Sequence, residues 1–155
     1  MTQSPIDYRS TDITEIDLIR PLWDQLNTYH TVNARAFRDV YTNWTFSDRK
    51  DNFKKVAAAG HLRIDLAFYP VSGRYVGYCV SSFSQERGGE IESIFVEESC
   101  RLQGIGTALL TRALAWIDTN NPVRVRISVA DGNEDSFAFY QRFGFHPRMT
   151  VLERI

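Results

Sequence analysis

The chain has 155 residues, 43% of them hydrophobic and 24% charged, enough for one domain around one core and too little for two ordinary ones. Eighteen Lys and Arg against nineteen Asp and Glu leave a formal charge of -1, so no overall basic field draws the chain to nucleic acid or to an anionic membrane. Two cysteines, Cys79 and Cys100, and three well-separated histidines, His30, His61 and His146, argue against a disulfide framework and a structural metal site.

The first residues lack the basic stretch and apolar run of a secretory signal, and no window approaches the ~20 apolar residues that span a bilayer. A cytoplasmic location is the expectation. Composition does not shift and no repeat appears, so residues 1–155 read as a single domain.

In chain order, Ile6 to Ser10 reads as a strand. Asp12-Ile13-Thr14-Glu15 then opens a helix with Ile16, Ile19, Leu22, Trp23 and Leu26 on one face, and Pro21 belongs near its first turns. An irregular aromatic stretch from Tyr29 to Phe46 leads to Ser47-Asp48, expected as the N-cap of a helix ending at Gly60. Leu62 to Tyr69 and Tyr75 to Phe83 form a hairpin around Pro70-Val71-Ser72-Gly73. Gly88-Gly89 is expected to make the next turn. In the strand that follows, Ile91, Ser93 and Phe95 are expected on one side and Glu90, Glu92, Ile94 and Val96 on the other. Gly104 to Asp118 carries Ile105, Leu109, Ala113 and Ile117 at steps of four, an amphipathic helix stopped by Asn120-Asn121-Pro122. Val123 to Val129 alternates as a strand, Asn133 to Arg142 is a last helix closed by Gly144, and Met149 to Ile155 supplies a terminal strand. The order predicts an α+β layered domain.

Chemistry concentrates where the strand ending at Val96 meets Arg101-Leu102-Gln103-Gly104-Ile105-Gly106-Thr107. Glycines at a helix start admit a phosphate closely, the first backbone N–H groups lack helix partners, and Arg101 adds a fork of donors. The dinucleotide pattern G-x-G-x-x-G fails at Leu109, and the Gly-Lys-Ser/Thr of a P-loop is absent. A phosphate-bearing cofactor held by a mid-chain loop remains.

Three blocks, Ile91–Val96, Arg101–Thr107 and Asn133–Tyr140 with Phe143-Gly144-Phe145, together resemble the GNAT superfamily of acyl-CoA-dependent N-acyltransferases. The resemblance implies a mixed, mostly antiparallel sheet of about six or seven strands, splayed in the middle and flanked by about four helices. It implies acetyl-CoA as acyl donor, without a metal. The pantetheine arm would pair with the backbone of Ile94, Phe95 and Val96. The pyrophosphate would lie on Gln103, Gly104, Ile105, Gly106 and Thr107 with Arg101 at the rim, and Asn133 would bridge to the last helix. The side chains of Leu102 and Ile105 are expected in the core.

Transfer of an acyl group to an amine requires a neutral amine, a polarised carbonyl and a protonated leaving thiolate. Tyr140 suits the last role, because a phenol with pKa near 10 stays protonated at neutral pH; packing in an aromatic helix is its other reading. Glu92 or Glu90 would take the ammonium proton, although a solvated strand face also accounts for both. Cys100 has no neighbouring His to activate it for covalent catalysis. The acceptor would meet Trp23, Asn27, Tyr29, His30, Phe37, Arg38, Tyr41 and Trp44, with Asp24 or Asp39 able to attract a cation; His30 reads first as a structural histidine. The expected function is N-acetylation of a small-molecule or peptide amine by direct attack in a ternary complex, with a homodimer allowed. A catalytically silent acyl-CoA-binding module is the alternative.

Overall fold

The computed structural model describes residues 5–155. Five strands, β1 (Asp7–Thr11), β2 (His61–Phe68), β3 (Tyr75–Ser84), β4 (Gly88–Val96) and β5 (Val125–Ile127), form one sheet in sequential order. The first four are antiparallel neighbours, and β5 runs parallel to β4. The helices are α1 (Arg20–Asn33), α2 (Arg38–Asn43), α3 (Phe46–Ala59), α4 (Ile105–Asp118) and α5 (Phe137–Gln141).

Two cores sandwich the sheet. On one face Ile19, Leu22 and Trp23 of the α1 region and Phe46 and Phe53 of α3 pack on Ile64, Leu66, Tyr78, Val80 and Phe95. On the other, the four-residue stripe Ile105, Leu109, Ala113, Ile117 of α4 is buried as expected, against Val76, Cys79, Ile91 and Tyr140. Each such large aliphatic side chain contributes about 1.5–3 kcal/mol by leaving water. Among the described residues no helix is long and apolar enough to cross a membrane.

Several expectations are corrected. The segment after β1 is not one helix: residues Ile13–Ile19 form a 3-10 helix capped by Asp12, and α1 follows with Pro21 in its first turn. The cap of α3 is Thr45, whose hydroxyl takes the Asp48 N–H while the Asp48 carboxylate accepts from the Thr45 N–H. The turn before β4 is Gln85-Glu86-Arg87, and Gly88-Gly89 begin the strand. Gly89 lies so close under α4 that a Cβ there would sit 2.4 Å from Ile117. The α+β fold with a mixed, mostly antiparallel sheet is as expected, but among the described residues the sheet has five strands, not six or seven, alongside five α-helices where about four were expected. The strand expected over Val123–Val129 is confined to Val125–Ile127, and residues 146–155 have no regular structure, with Met149, Val151, Leu152 and Ile155 exposed.

The alternation expected in β4 fails at one point. Pairing with β3 passes from Val80–Ser93 to Ser81–Ile91, so Glu92 is an extra residue, a β-bulge. The bulge returns Ile91 to the same face as Ile94 and Val96, towards α4, while Phe95 packs towards α1 and α3. Ser93 lies on that second face, hydrogen-bonded to Tyr78 at 2.8 Å.

Candidate active site

β4 and β5 pair over only three rungs, Gly89–Val125, Glu90–Arg126 and Ile91–Ile127. Beyond Ile127 the two chains separate, and a cavity of about 310 Å³ occupies the opening. Its lining includes Glu92, Ser93 and Ile94 from β4, residues 128–130 and Asn133 from the chain after β5, and Tyr140 from α5. The remaining wall comes from α1, α2 and α3 through Trp23, Asn27, His30, Tyr41, Trp44 and Arg49. A larger, open depression of about 530 Å³ lies along residues 10–14 and 60–63 and contains none of the expected site residues.

Tyr140 is 8% exposed, its ring wedged beside Phe139 and Phe145. Burial pushes its phenol well above the ordinary tyrosine value, so the proton is firmly held. Glu92 accepts a hydrogen bond from the Ser82 hydroxyl at 2.7 Å, which fixes the carboxylate where the bulge turns it. Glu90 does not line the cavity. It is paired with Arg87 at 3.0 Å and Arg126 at 3.6 Å, and burial together with the nearby Glu92 raises its carboxyl above the usual value.

The start of α4 lies at the glycines of the Arg101–Thr107 block. Gly104 caps α4 in the left-handed region, at φ 78°, with no side-chain cap, and the first helical bond runs from the Ala108 N–H to the Gly104 carbonyl at 3.0 Å. The N–H groups of Ile105, Gly106 and Thr107 are therefore left without helix acceptors. A Cβ on Gly104 would meet nothing within 4 Å. Arg101 lies back over the Phe95 ring, its Nε donating to the Val96 carbonyl at 3.0 Å. Ile105 is buried as expected, but Leu102 is not: it is fully exposed at φ 60°. The tight left-handed turn into Gly104 points Leu102 outward, which spacing alone does not show.

Asn133 holds the cap position of a short 3-10 turn, yet its side chain makes no cap bond and faces the cavity. Its loop is fastened by Arg35, which pairs with Asp131 and Glu134. On the acceptor side, Asn27 donates to the carbonyls of Tyr41 and Trp44, tying α2 to α1, and burial lowers the pKa of His30. Tyr29, Phe37 and Arg38 are not in the lining. Arg49 was not foreseen; within a run of charged helix residues it has no sequence mark separating it from Lys50 or Lys54. Among the described residues no group of three or more His, Cys, Asp or Glu is arranged to hold a metal.

The fold and the opening define an acyltransferase-type site. The Acetyltransferase (GNAT) family profile matches residues 23–145, and the chain belongs to that family of enzymes. It is 31% identical to an uncharacterized N-acetyltransferase of Methanocaldococcus jannaschii over 87 residues, which is 52% of this chain and 38% of the relative. The match thus spans well under half of that relative's length. Among solved structures, the fold is similar to the aminoglycoside N-acetyltransferase AAC(6')-Iy in complex with CoA (TM-score 0.70, 19% identity, 99% of this chain and 96% of the other). It is also similar to the PaiA N-acetyltransferase of Thermoplasma acidophilum in complex with coenzyme A (TM-score 0.73, 14% identity, 95% and 93%).

Proposed function

We propose that this protein transfers an acetyl group from acetyl-CoA to a primary amine by direct attack in a ternary complex, in the cytoplasm. The observation that carries the reading is the opening beyond Ile91–Ile127: it brings Glu92, Tyr140 and Asn133 to one cavity beside the exposed edge of β4. Family membership, and neighbours solved with CoA or with a CoA–acetylneamine bisubstrate analogue, support a CoA thioester and an amine as the two reactants.

The backbone of Ile94, Phe95 and Val96 would hold the pantetheine arm as an added strand, and Asn133 would fix it from the facing loop. Gln103, Gly104, Ile105, Gly106 and Thr107 would hold the pyrophosphate with backbone N–H groups, and Arg101, swung off Val96, would add its fork. Bound there, the thioester supplies an electrophilic carbonyl carbon. Glu92 accepts the proton that makes the amine nucleophilic. As the new C–N bond forms and the C–S bond breaks, the nitrogen sheds its second proton to water, and Tyr140 donates its proton to the departing sulfur and is reprotonated from water. The products are an amide and a free thiol.

Release of free thiol from acetyl-CoA over a library of amines tests the proposal. Steady release with some amine, lost in Tyr140→Phe, supports it. Tight CoA binding with no turnover across broad acceptors would make the protein a binding module instead.

A further inference from the structure

Arg49 projects from α3 into the wall of the cavity, and its surroundings are unusual for a guanidinium. It sits 4.1 Å from the ring centroid of Phe53 and 5.4 Å from that of Trp44, and donates one hydrogen bond from Nη2 to the carbonyl of Glu92. Among the described residues it has no carboxylate within ion-pair distance, whereas Arg35, Arg63, Arg74 and Arg87 all do. A guanidinium has five N–H donors, and a cation withdrawn from water without an anionic partner is costly. Burial pulls its pKa below the ordinary arginine value, against the opposing pull of the Glu92 and Glu90 carboxylates, which act on it from beyond ion-pair distance.

The lining carries two charged side chains, the Glu92 carboxylate and the Arg49 guanidinium. An entering ammonium is complemented by Glu92, which leaves Arg49 to be matched by a negative charge on the same small molecule. His30 adds a second unfilled polar position: its Nδ1 is buried with no hydrogen-bond partner, and burial favours the neutral ring, so it contributes a hydrogen bond rather than a competing cation. Trp23, Tyr41 and Trp44 supply flat apolar wall in a cavity of about 310 Å³, enough for a small apolar side chain.

We propose that the acceptor is a zwitterion, a free amino acid with an apolar side chain, whose carboxylate pairs with Arg49 while its amine faces Glu92. This rests on the transferase reading above and narrows its acceptor.

The test measures thiol release from acetyl-CoA with matched pairs: glycine and glycinamide, leucine and leucinamide, phenylalanine and phenylalaninamide. The carboxamides have the less basic amines, so intrinsic reactivity at neutral pH favours them, and a preference for the acid belongs to the site. The expected result is a kcat/KM at least tenfold higher for the acid in at least one pair. That ratio should fall to about one in Arg49→Met and be partly kept in Arg49→Lys. Native enzyme that acetylates the amides equally well in every pair overturns the inference while leaving the transferase intact, and so does a ratio unmoved in Arg49→Met. If Arg49→Met does not fold, the native ratio and Arg49→Lys decide. If nothing is acetylated, neutral amines included, the transferase reading fails. Calorimetry of N-acetylphenylalanine against its amide on the CoA-loaded protein then decides the recognition claim: preference for the acid supports it and equal binding overturns it.

Discussion

Ile91 and Ile127 form the last rung between β4 and β5. One residue further along β4, the Glu92 bulge intervenes, and past it β4 keeps its partner on the β3 side as far as the Gly77–Val96 pair while the other edge is left open. A strand edge with no strand neighbour is a template for another extended chain, and here the Val96 carbonyl is held meanwhile by Arg101. This gives the pantetheine proposal a physical basis independent of family likeness.

Tyr140→Phe keeps the ring and its contacts with Phe139 and Phe145 and removes the proton donor. If Tyr140 is the general acid, kcat should fall about 10²- to 10⁴-fold with acetyl-CoA affinity nearly unchanged. Burial raises the phenol, so its acidic form persists through and beyond pH 10, where an ordinary tyrosine is half ionised. Rate profiles should therefore show no descending limb from Tyr140 up to pH 10. A Phe variant keeping more than about a third of native turnover would make Tyr140 a packing residue.

Glu92 and Glu90 are separated by one experiment. Glu92→Gln should lower kcat/KM at least tenfold near pH 7 and recover as rising pH frees the amine, while Glu90→Gln should change it less than about threefold. The reverse ranking would place the base at the Arg87–Arg126 end of β4.

Glu90 also carries a stability prediction. Its raised carboxyl stabilises the fold only when protonated, below the unfolded value near 4.3, and that contribution is lost as pH rises through the folded value. At pH 7 Glu90→Gln should therefore leave Tm unchanged or raise it. A fall beyond about 4 °C, roughly 1–2 kcal/mol for a chain of this size, would mean that the Arg87 and Arg126 pairs outweigh the desolvation.

The anion cradle is tested at Gly106, where an added Cβ would make only ordinary contacts, 3.5 Å from Phe139. Gly106→Val should weaken CoA binding at least tenfold, about 1.4 kcal/mol, in a folded protein. Unchanged affinity by calorimetry would remove the phosphate from this loop. Gly104 is the poorer probe, since at φ 78° any side chain strains the backbone as well.

Thr45→Ala removes the hydroxyl half of the α3 capping box. A loss of about 1 kcal/mol in chemical denaturation is expected.

The sequence by itself determined the parts governed by short-range rules. The four-residue stripe of α4, its glycine start and the β2–β3 hairpin follow from periodicity and turn chemistry, while the helix expected over Asn133–Arg142 is a 3-10 turn, Glu134–Ser136, followed by α5 at Phe137–Gln141. Tertiary structure decided what depends on partners. A period of two predicts Ile91 with Ser93 and Phe95, but pairing with β3 inserts Glu92 as a bulge and reverses the pattern within one residue. Val123–Val129 has strand composition throughout, yet only Val125–Ile127 pairs as a strand, and among the described residues Met149–Ile155 pairs with none. Strands need a partner edge, which no local pattern encodes. Arg49 is one basic residue among several on α3 until folding half-buries it in the cavity wall, hydrogen-bonded to the carbonyl of Glu92. A half-buried guanidinium with no carboxylate at ion-pair distance is a property of three-dimensional packing, and it is the feature on which the proposed acceptor rests.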